Sequence, residues 1–294
     1  MHHNEVPDGI GAKEPNSDRT CPRCHSGKYV IKRGVRRNKS GAVQRLLCKR
    51  CGVKFIPRTG FERMKHTSLA VLVSLDLFFK GLSLTKIADH LHQFHDTDVS
   101  DTTVYRWIRK YVILMSRRME DFKPQLSRRW HTDETLLKVN GNKEYMWNTL
   151  DSKTRFLIAT QVTERRNGEE ARRIVRESME RTERSPGQWI TDGLPSYKQA
   201  RNEFDRKGKT AHISGKGFEG KMNNNKIERF HATVKERTKV MRGFRSNQNA
   251  ALFAKGYALY YNHVRPHRSL KGKTPAEAAG MKKPDSRNRW LGLL

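Results

Sequence analysis

Hydrophobic and polar positions follow different periods along the chain, and the changes of period divide it into four segments. Residues 1–19 are polar and contain several Pro and Gly, which is typical of a flexible tail. Residues 20–58 contain two short strand-like runs, "KYVIKRGVRR" and "AVQRLL", joined by the turn sequence "NKSG". Residues 59–121 carry apolar positions at helical spacing, and residues 122–285 alternate strand patterns with helix patterns. We interpret these segments as a tail followed by three domains.

The second domain is predicted to contain three helices, in "SLAVLVSLDLFFKG", "LSLTKIADHLHQF" and "DVSDTTVYRWIRKYVILM". Gly81 ends the first helix and Ser83 caps the second. Ser100 or Asp101 caps the third. Apolar residues at i, i+3, i+4, i+7 and i+8 spacing give the third helix one buried face: Val104, Trp107, Ile108, Tyr111, Val112 and Met115.

The opposite side of the third helix is polar and basic. It carries Thr102, Thr103, Arg106, Arg109 and Lys110. Two helices joined by a polar turn after a leading helix predict a helix-turn-helix, whose last helix enters a major groove of DNA. The alternative is a three-helix bundle with a solvated basic face. The basic segment that precedes it favours DNA binding.

The third domain shows the order βββαβαβα. Strands are predicted in "RRWHTDETLLKV", "EYMWNTLD", "RFLIATQVT", "GQWITDG" and "TAHIS", with helices in "EEARRIVRESMERT" and "PSYKQARNEF". Two long helices, at roughly residues 224–242 and 247–261, complete the pattern. Strands alternating with helices predict the α/β fold class, with helices packed on a sheet.

The charge balance narrows the class of partner. The chain has 294 residues with 60 Lys+Arg against 30 Asp+Glu, a formal net charge of +30 and a pI of about 10.4. Such an excess predicts attraction to a polyanion, most simply nucleic acid. A ribosomal or chromatin-packing protein is the alternative, but those chains are typically shorter or more disordered, and the aromatic residues here favour packed cores.

No membrane partner is expected. The most apolar run, Leu69 to Phe79, is 11 residues long and contains Ser74 and Asp76, so it is too short to cross a bilayer. No signal peptide is visible either. We expect a soluble protein in a reducing compartment that contains DNA, such as a prokaryotic cytoplasm, where it would associate with the nucleoid, or a nucleus.

All four cysteines fall in two CxxC pairs, "CPRC" at Cys21–Cys24 and "CKRC" at Cys48–Cys51, with 23 residues between them. Two such knuckles brought together predict a closed, tetrahedral, structural Zn²⁺ site. Disulfides and a redox dithiol are the alternatives. Residues 21–58 also hold twelve Lys+Arg and no acid. The predicted zinc ribbon would therefore hold a basic surface against DNA.

Three acids stand out by their positions. Asp133 lies within the first predicted strand, Asp192 ends the fourth, and Glu228 lies near the start of a long helix. Strand ends and facing helix starts converge in an open α/β sheet. Three converging carboxylates repel each other unless a cation is present, and hard oxygen ligands suit Mg²⁺ or Mn²⁺. The pattern predicts a metal site for phosphoryl transfer.

Each acid taken alone has a simpler interpretation: Asp192 as a turn residue, Glu228 as a solvated helix residue, and Asp133 as a strand residue beside Glu134, which points to the other face. A helical wheel sharpens the interpretation of Glu228. Ile227, Phe230, Val234 and Met241 form a stripe away from it. Three cations share its own stripe, namely Lys235, Lys239 and Arg242.

The motifs "TDE", "TDG" and "NNxIERFHxxxKxRxxxMRGF", with 35 residues between Asp192 and Glu228, resemble those of the DDE transposases of insertion sequences. The tail "YYNHVRPHRSLKGKTPAEAAG" also resembles the end of that family's catalytic domain. The resemblance implies a ribonuclease-H-like domain with a mixed sheet and flanking helices. It implies that Asp133, Asp192 and Glu228 form the catalytic, Mg²⁺-binding triad. Lys235 would contact DNA near the transposon end.

The function that the resemblance implies is that of a DNA transposase. It would bind terminal inverted repeats and catalyse Mg²⁺-dependent strand cleavage and strand transfer into target DNA, with Mn²⁺ as an alternative ion. Two transposon ends must be held together, so a homodimer or larger homo-oligomer is expected. The alternatives are a non-catalytic, transposase-derived DNA-binding regulator and a hydrolytic nuclease of the same fold.

Overall fold

A computed structural model describes residues 21–38, 41–56, 60–61, 64–205, 208–214, 224–284 and 286–294. The predicted tail lies outside these residues, as do the centre of the "NKSG" turn and Arg58. The chain divides into two compact units. The first comprises residues up to Ser68 with 283–292 and Leu294, and the second comprises Leu69–Lys282 with Leu293.

The first unit contains the two predicted strands of the ribbon. Strands β1 (Val30–Asn38) and β2 (Gly41–Cys48) pair in antiparallel fashion, with an irregularity between Lys32 and Val35. A short β3 (Lys54–Phe55), which the sequence pattern did not predict, pairs with β2. The sheet order is β1-β2-β3, and both cysteine pairs lie at the same end of it because Val30 pairs with Cys48.

The three predicted helices are present at the positions expected from the apolar spacing. They are α1 (Ser68–Lys80), α2 (Leu84–His95) and α3 (Asp101–Glu120). The Ser83 and Ser100 hydroxyls accept hydrogen bonds from the backbone N–H groups of Lys86 and Thr103, as expected of N-caps. All six predicted core residues of α3 are buried.

The second unit is built on a mixed five-stranded sheet. Its strands are β4 (Arg129–Val139), β5 (Asn142–Asp151), β6 (Leu157–Thr163), β7 (Gln188–Thr191) and β8 (Ala211–Ser214). The order is β6-β5-β4-β7-β8; β4, β5 and β6 are antiparallel neighbours, while β7 and β8 run parallel to β4. The α/β fold class, with a mixed sheet and flanking helices, is therefore confirmed.

This second unit also contains α1 to α3, and the helices that follow β6 in the chain cover both faces of the sheet. They are α4 (Gly168–Thr182), α5 (Pro195–Phe204), α6 (Asn225–Lys239), α7 (Asn247–Leu259) and the short α8 (Pro275–Ala278). On one face, Trp130 and Trp189 pack in a core with Ile174 of α4 and Tyr197 of α5. The alternate residues of β4 turn to the other face, where α6 lies against β4 and β5.

Helix α6 is shorter than the sequence pattern predicted. It ends at Lys239, and Arg242 has a φ of 59°, so Arg242 lies off the helix and its predicted place in the cationic stripe is wrong. The chain turns there to pair with β4: Phe244 N–H donates to the Lys138 carbonyl at 2.7 Å. Gly243 has a φ of 124°, and a Cβ there would stand 2.9 Å from the Lys138 oxygen. The turn "RGF" therefore needs glycine.

Helix α7 packs closely on the helices that precede the sheet. A Cβ on Gly256 would lie 2.4 Å from Cζ of Phe79 and 2.9 Å from Cγ2 of Val112. The helix ends at Leu259, two residues earlier than predicted, and continues as one wider turn, Tyr260–Val264. Across the described part of the chain, no helix combines the length and the apolar character needed to span a bilayer.

Candidate active site

Strand register brings the first two predicted acids together. In the parallel pair β4–β7, His131 stands beside Ile190, so Asp133 and Asp192 are each two residues further along adjacent strands. Strand β7 ends at Thr191, which leaves Asp192 at its carboxyl end, with its Oδ1 accepting from Leu194 N–H at 3.1 Å. The two carboxylates therefore meet at one edge of the sheet.

A third carboxylate at this edge is Glu134 rather than Glu228. Carboxylate oxygens of Asp133, Glu134 and Asp192 all lie within 4.8 Å of one another. Glu134 does face the other side of the strand, where the Tyr197 hydroxyl donates to its Oε2 at 2.7 Å. Strand β4 continues past the end of β7, so Glu134 lies beside the turn that follows Thr191. From this position its carboxylate reaches those of Asp133 and Asp192. In the sequence, the two adjacent acids of "TDET" were the signal that Glu134 could join Asp133 in the site.

The electrostatic environment of these three carboxylates favours the binding of a cation. Burial raises the pKa of Asp133 from 3.8 to about 7, and the negative charges of Glu134, Asp192 and Glu228 add to the increase. The Asp133 side chain is 15% exposed, so water screens the repulsion poorly. A divalent ion bound to these oxygens would relieve both the desolvation and the repulsion.

One cation of the chain itself, Arg166, lies against the acids. Its guanidinium forms an ion pair with Glu134 and approaches Oδ2 of Asp192 at 3.4 Å. Partial burial by itself lowers the pKa of Arg166. The negative charges of Glu134 and Asp192 have the larger effect, so the pKa of Arg166 is raised. The sequence analysis did not single out Arg166, because the loop between β6 and α4 carries no motif that marks it.

Helix α6 is fixed to the sheet at the turn that carries Glu228. The buried Asn224, which precedes the helix, lies 3.4 Å from Nδ1 of His131 on β4. Lys226 Nζ donates to the carbonyl and hydroxyl oxygens of Ser152. Glu228 itself is exposed and lies outside the three-acid group, although its charge acts on Asp133. The structure therefore brings Asp133 and Asp192 together and places Glu228 at the border of the site.

A second contact of α6 with the sheet involves His231. Its Nδ1 lies 3.6 Å from Oδ2 of Asp133, and its Nε2 lies 3.2 Å from Nδ2 of Asn148. The Asn148 amide is oriented because its Oδ1 accepts from the Thr160 hydroxyl and its Nδ2 donates to the Met146 carbonyl. Nε2 of His231 is thus an acceptor, and the proton is on Nδ1, facing Asp133. Burial lowers the pKa of His231 to about 3, so the ring is neutral at physiological pH.

The predicted DNA-contact residues are mostly exposed. Lys235 and Lys239 are exposed along α6, and Arg242 is exposed in the turn beyond it. On α3, exposed side chains are those of Thr102, Arg106 and Arg109, while Thr103 is half-buried and its hydroxyl lies 3.1 Å from that of the capping Ser100. Their roles in DNA binding stay predictions.

The four cysteines form a separate cluster in the first unit. Their sulfur atoms lie within 4.8 Å of one another, with Sγ of Cys21 3.3 Å from that of Cys51 and Sγ of Cys24 3.6 Å from that of Cys48. Four sulfurs at about 2.3 Å from a tetrahedral zinc would stand about 3.8 Å apart. The donor set and its spacing fit structural zinc.

Comparisons with known proteins identify the region that contains the acids. A family model described as a DDE domain matches residues 127–267. The chain is 25% identical over 191 residues to the transposase for insertion sequence-like element IS431mec of Staphylococcus aureus, covering 63% of this chain and 80% of the relative. These matches confirm the resemblance drawn from the motifs.

An archaeal relative shows similar identity over part of its length. The insertion element ISM1 uncharacterized 48.3 kDa protein of Methanobrevibacter smithii is 24% identical over 200 residues, and the match spans 64% of this chain but 48% of that protein. Among solved structures, the HTLV-2 integrase catalytic core domain in complex with magnesium superposes with a TM-score of 0.41 at 15% identity, covering 53% of this chain and 99% of that domain.

Proposed function

We propose that this chain, whose residues 127–267 belong to the DDE family of insertion-sequence transposases, is a metal-dependent DNA transposase. The observation that carries the proposal is the edge of the sheet where Asp133 and Asp192 converge with a third carboxylate. A raised pKa of about 7 at Asp133 supports the need for a cation there. The net charge of +30 supports a polyanionic substrate.

Asp133 and Asp192 would hold the catalytic ion or ions, with Mg²⁺ or Mn²⁺ favoured because the donors are hard carboxylate oxygens. Glu228 would complete the triad from α6, and Glu134 would supply an additional oxygen donor beside Asp133 and Asp192. Divalent ions at such a site stabilise the attacking and leaving oxygens of an in-line displacement at phosphorus. This chemistry serves both strand cleavage and the joining of a 3′-hydroxyl to target DNA.

The residues around the acids have positioning roles in this proposal. Neutral His231 lies with its Nδ1 3.6 Å from Oδ2 of Asp133, from where it would favour one orientation of that carboxylate. Tyr197 and Arg166 hold Glu134 more firmly, through a hydrogen bond and an ion pair. Arg166 is 38% exposed, so its guanidinium is accessible to a phosphate that approaches Asp192. Lys235, Lys239 and Arg242 would bind the DNA backbone beyond Glu228.

Recognition of the transposon ends is assigned to the two amino-terminal elements. Helix α3 would enter the major groove with its polar side, which carries Thr102, Thr103, Arg106 and Arg109. The apolar side of the helix is buried in the protein. The ribbon of β1 and β2, held by structural zinc, would add cations against the backbone. A homodimer or larger assembly in the cytoplasm would hold two ends together.

The test is a strand-transfer reaction. Purified protein is mixed with labelled DNA that carries the element's terminal inverted repeats, a target plasmid and Mg²⁺. We expect nicked and joined products, and we expect Asp133→Asn, Asp192→Asn and Glu228→Gln each to abolish both while leaving binding to the repeats intact. Products that survive these three substitutions would overturn the triad assignment.

Two other outcomes would replace the proposal. Tight binding to the repeats without nicking in Mg²⁺ or Mn²⁺ would indicate a non-catalytic regulator derived from a transposase. Cleavage without joining would indicate a hydrolytic nuclease of the same fold. A matched control is Asp121→Asn, which removes an exposed carboxylate at the end of α3 and is expected to leave the reaction unchanged.

A further inference from the structure

A second concave surface, rich in cations, lies at the amino-terminal ends of β4 and β7. A cavity of about 500 Å³ is lined there by Arg128, Arg129, Lys153 and Lys226 together with small or neutral side chains. Among the residues that the structure describes, its lining includes no carboxylate. We name this surface, defined by those four cations, the basic pocket.

Contacts with neighbouring elements hold the basic side chains around the cavity. Arg129 donates from Nε to Oε1 of Gln188, which ties β4 to β7. Lys226 donates from Nζ to the Ser152 carbonyl at 3.0 Å and to its hydroxyl at 2.7 Å. The Arg128 side chain lies along Gly187, since a Cβ there would stand 3.4 Å from its Nε. The cations are therefore gathered by the fold.

The carboxylate oxygens of Asp151, an acid beside this surface, are occupied by hydrogen bonds within the chain. Asp151, which is buried, accepts on Oδ1 from the amide and hydroxyl of Ser127 and on Oδ2 from the amides of Lys153 and Thr154 and the Thr154 hydroxyl. These bonds shape the turn that presents Lys153. Within the described residues, none of the four pocket cations has an ion pair within 4.0 Å. The charge of Asp151 still acts on Lys226, but four cations against this one acid leave the surface positive overall and able to attract an external anion.

The basic pocket is separate from the acid site. Arg129 and Asp133 lie on the same face of β4, four residues and therefore about 13 Å apart. Helix α6 packs on β4 and β5, and Lys226 and Glu228 project about 200° apart around it. Lys226 of the pocket and Glu228 consequently lie on different sides of α6.

We propose that the basic pocket is a phosphate-binding site that holds the backbone of DNA at a distance from the reacting phosphate. Two guanidinium groups and two ammonium groups around a cavity of this size match the charge and the acceptor oxygens of phosphodiesters. Because it names a DNA contact, the inference rests on the proposed function. A free phosphate ion shares the same chemistry, and the experiment separates the two.

The experiment measures the affinity of the full chain for a short labelled DNA duplex as a function of salt, with no divalent metal present. The variant Arg128→Gln/Lys153→Gln removes two exposed cations. If both contact phosphates, the slope of log affinity against log salt should fall in magnitude by about 1.8, since each neutralised phosphate contributes about 0.9. Its control is Arg176→Gln/Lys198→Gln, which removes two exposed cations from α4 and α5. These helices cover the face of the sheet opposite to α6, so the control should change the slope far less.

A second variant tests the site without removing a side chain. Gln188→Glu preserves the shape and the contact with Arg129 while it adds a negative charge to the pocket. We expect it to weaken DNA binding by several-fold, whereas Gln199→Glu on α5 should not. Equal losses in pocket and control variants would overturn the inference. So would a Gln188→Glu variant that stops binding inorganic phosphate, as observed by ³¹P line broadening, but keeps its parental DNA affinity and slope.

This test can fail independently of the proposed function. Since binding is measured without metal, a protein that never cleaves DNA can still show the loss at the basic pocket. Conversely, the parent protein could join strands normally while both pocket variants show an unchanged slope of log affinity against log salt. That result would support the proposed function and refute the basic pocket as a phosphate-binding site. Melting curves of all four variants within a few degrees of the parent protein would exclude unfolding as the cause.

Discussion

At the scale of the residue, Asp133 has the most unusual environment among the acids of the site. Its pKa is raised from 3.8 to about 7 by burial first and by the neighbouring negative charges second. Between pH 4 and pH 7 the folded state therefore keeps a proton that the unfolded state has lost. Folding becomes less favourable as the pH rises through this window, and the full penalty is present above pH 7.

Asp133→Asn should remove this penalty. In the metal-free protein we expect the variant to be more stable than the parent above pH 7, by a few kcal/mol at most, since each pKa unit corresponds to about 1.4 kcal/mol. The difference should vanish below pH 4. The measurement is urea unfolding in EDTA across this range, with Asp121→Asn as the control substitution.

Added Mg²⁺ should reverse the order. Bound metal stabilises the folded parent by mass action, whereas the amide of the variant supplies a weaker ligand. An Asp133→Asn variant that is no more stable than the parent at pH 8 in EDTA would contradict the raised pKa. A parent protein that gains no stability from Mg²⁺ would contradict the metal site.

At the scale of the element, we expect the ribbon of β1, β2 and β3 to depend on the proposed zinc, because these strands have few buried apolar residues to stabilise them. We expect about one zinc per chain, released by a chelator together with the loss of amide-exchange protection in this ribbon. Helices α4 to α7 should keep their protection. Cys24→Ser should reproduce the effect, and a ribbon that stays protected after complete chelation would exclude a structural metal.

Helix α7 depends on the absence of a side chain at Gly256. Gly256→Ala would place a methyl group 2.4 Å from Phe79 and 2.9 Å from Val112, so one of these buried side chains must move. Overpacking of this kind destabilises by about 1–3 kcal/mol, despite the better helix propensity of alanine. Urea unfolding checks this, with the exposed Lys255→Ala on the same helix as control; an unchanged midpoint for Gly256→Ala would refute the tight contact.

At the scale of the whole molecule, the net charge of +30 would dominate the proposed binding to DNA. Because 60 Lys and Arg are present, removing one exposed cation should change the overall affinity little. Lys235→Ala is therefore expected to reduce strand cleavage, by tenfold or more, with less than a threefold loss in duplex affinity, while Lys143→Ala should affect neither. Parallel anisotropy and cleavage assays measure both. Loss of most affinity with normal turnover would contradict the assignment of Lys235.

Much of the architecture was predictable because it depends on local pattern. The period of apolar residues located α1 to α3, the five strands of the second sheet and their order with the helices. The cysteine pairs and the two acids of the strands, Asp133 and Asp192, were predictable because their chemistry is marked by spacing. Helix ends were less predictable: nothing in the periodicity of α6 reveals that Arg242 adopts a left-handed φ so that Phe244 can pair with β4.

The sequence by itself determined the classes of element, the α/β order, the charge and the candidate acids, since all of these follow from composition and short-range spacing. The tertiary structure decided which charges meet. It brought Glu134 and Arg166 to Asp192, turned His231 toward Asp133, and gathered Arg128, Lys153 and Lys226 from three separate segments around one cavity. These groups are distant in the chain, and only strand register and helix packing fix the distances on which their electrostatics depend.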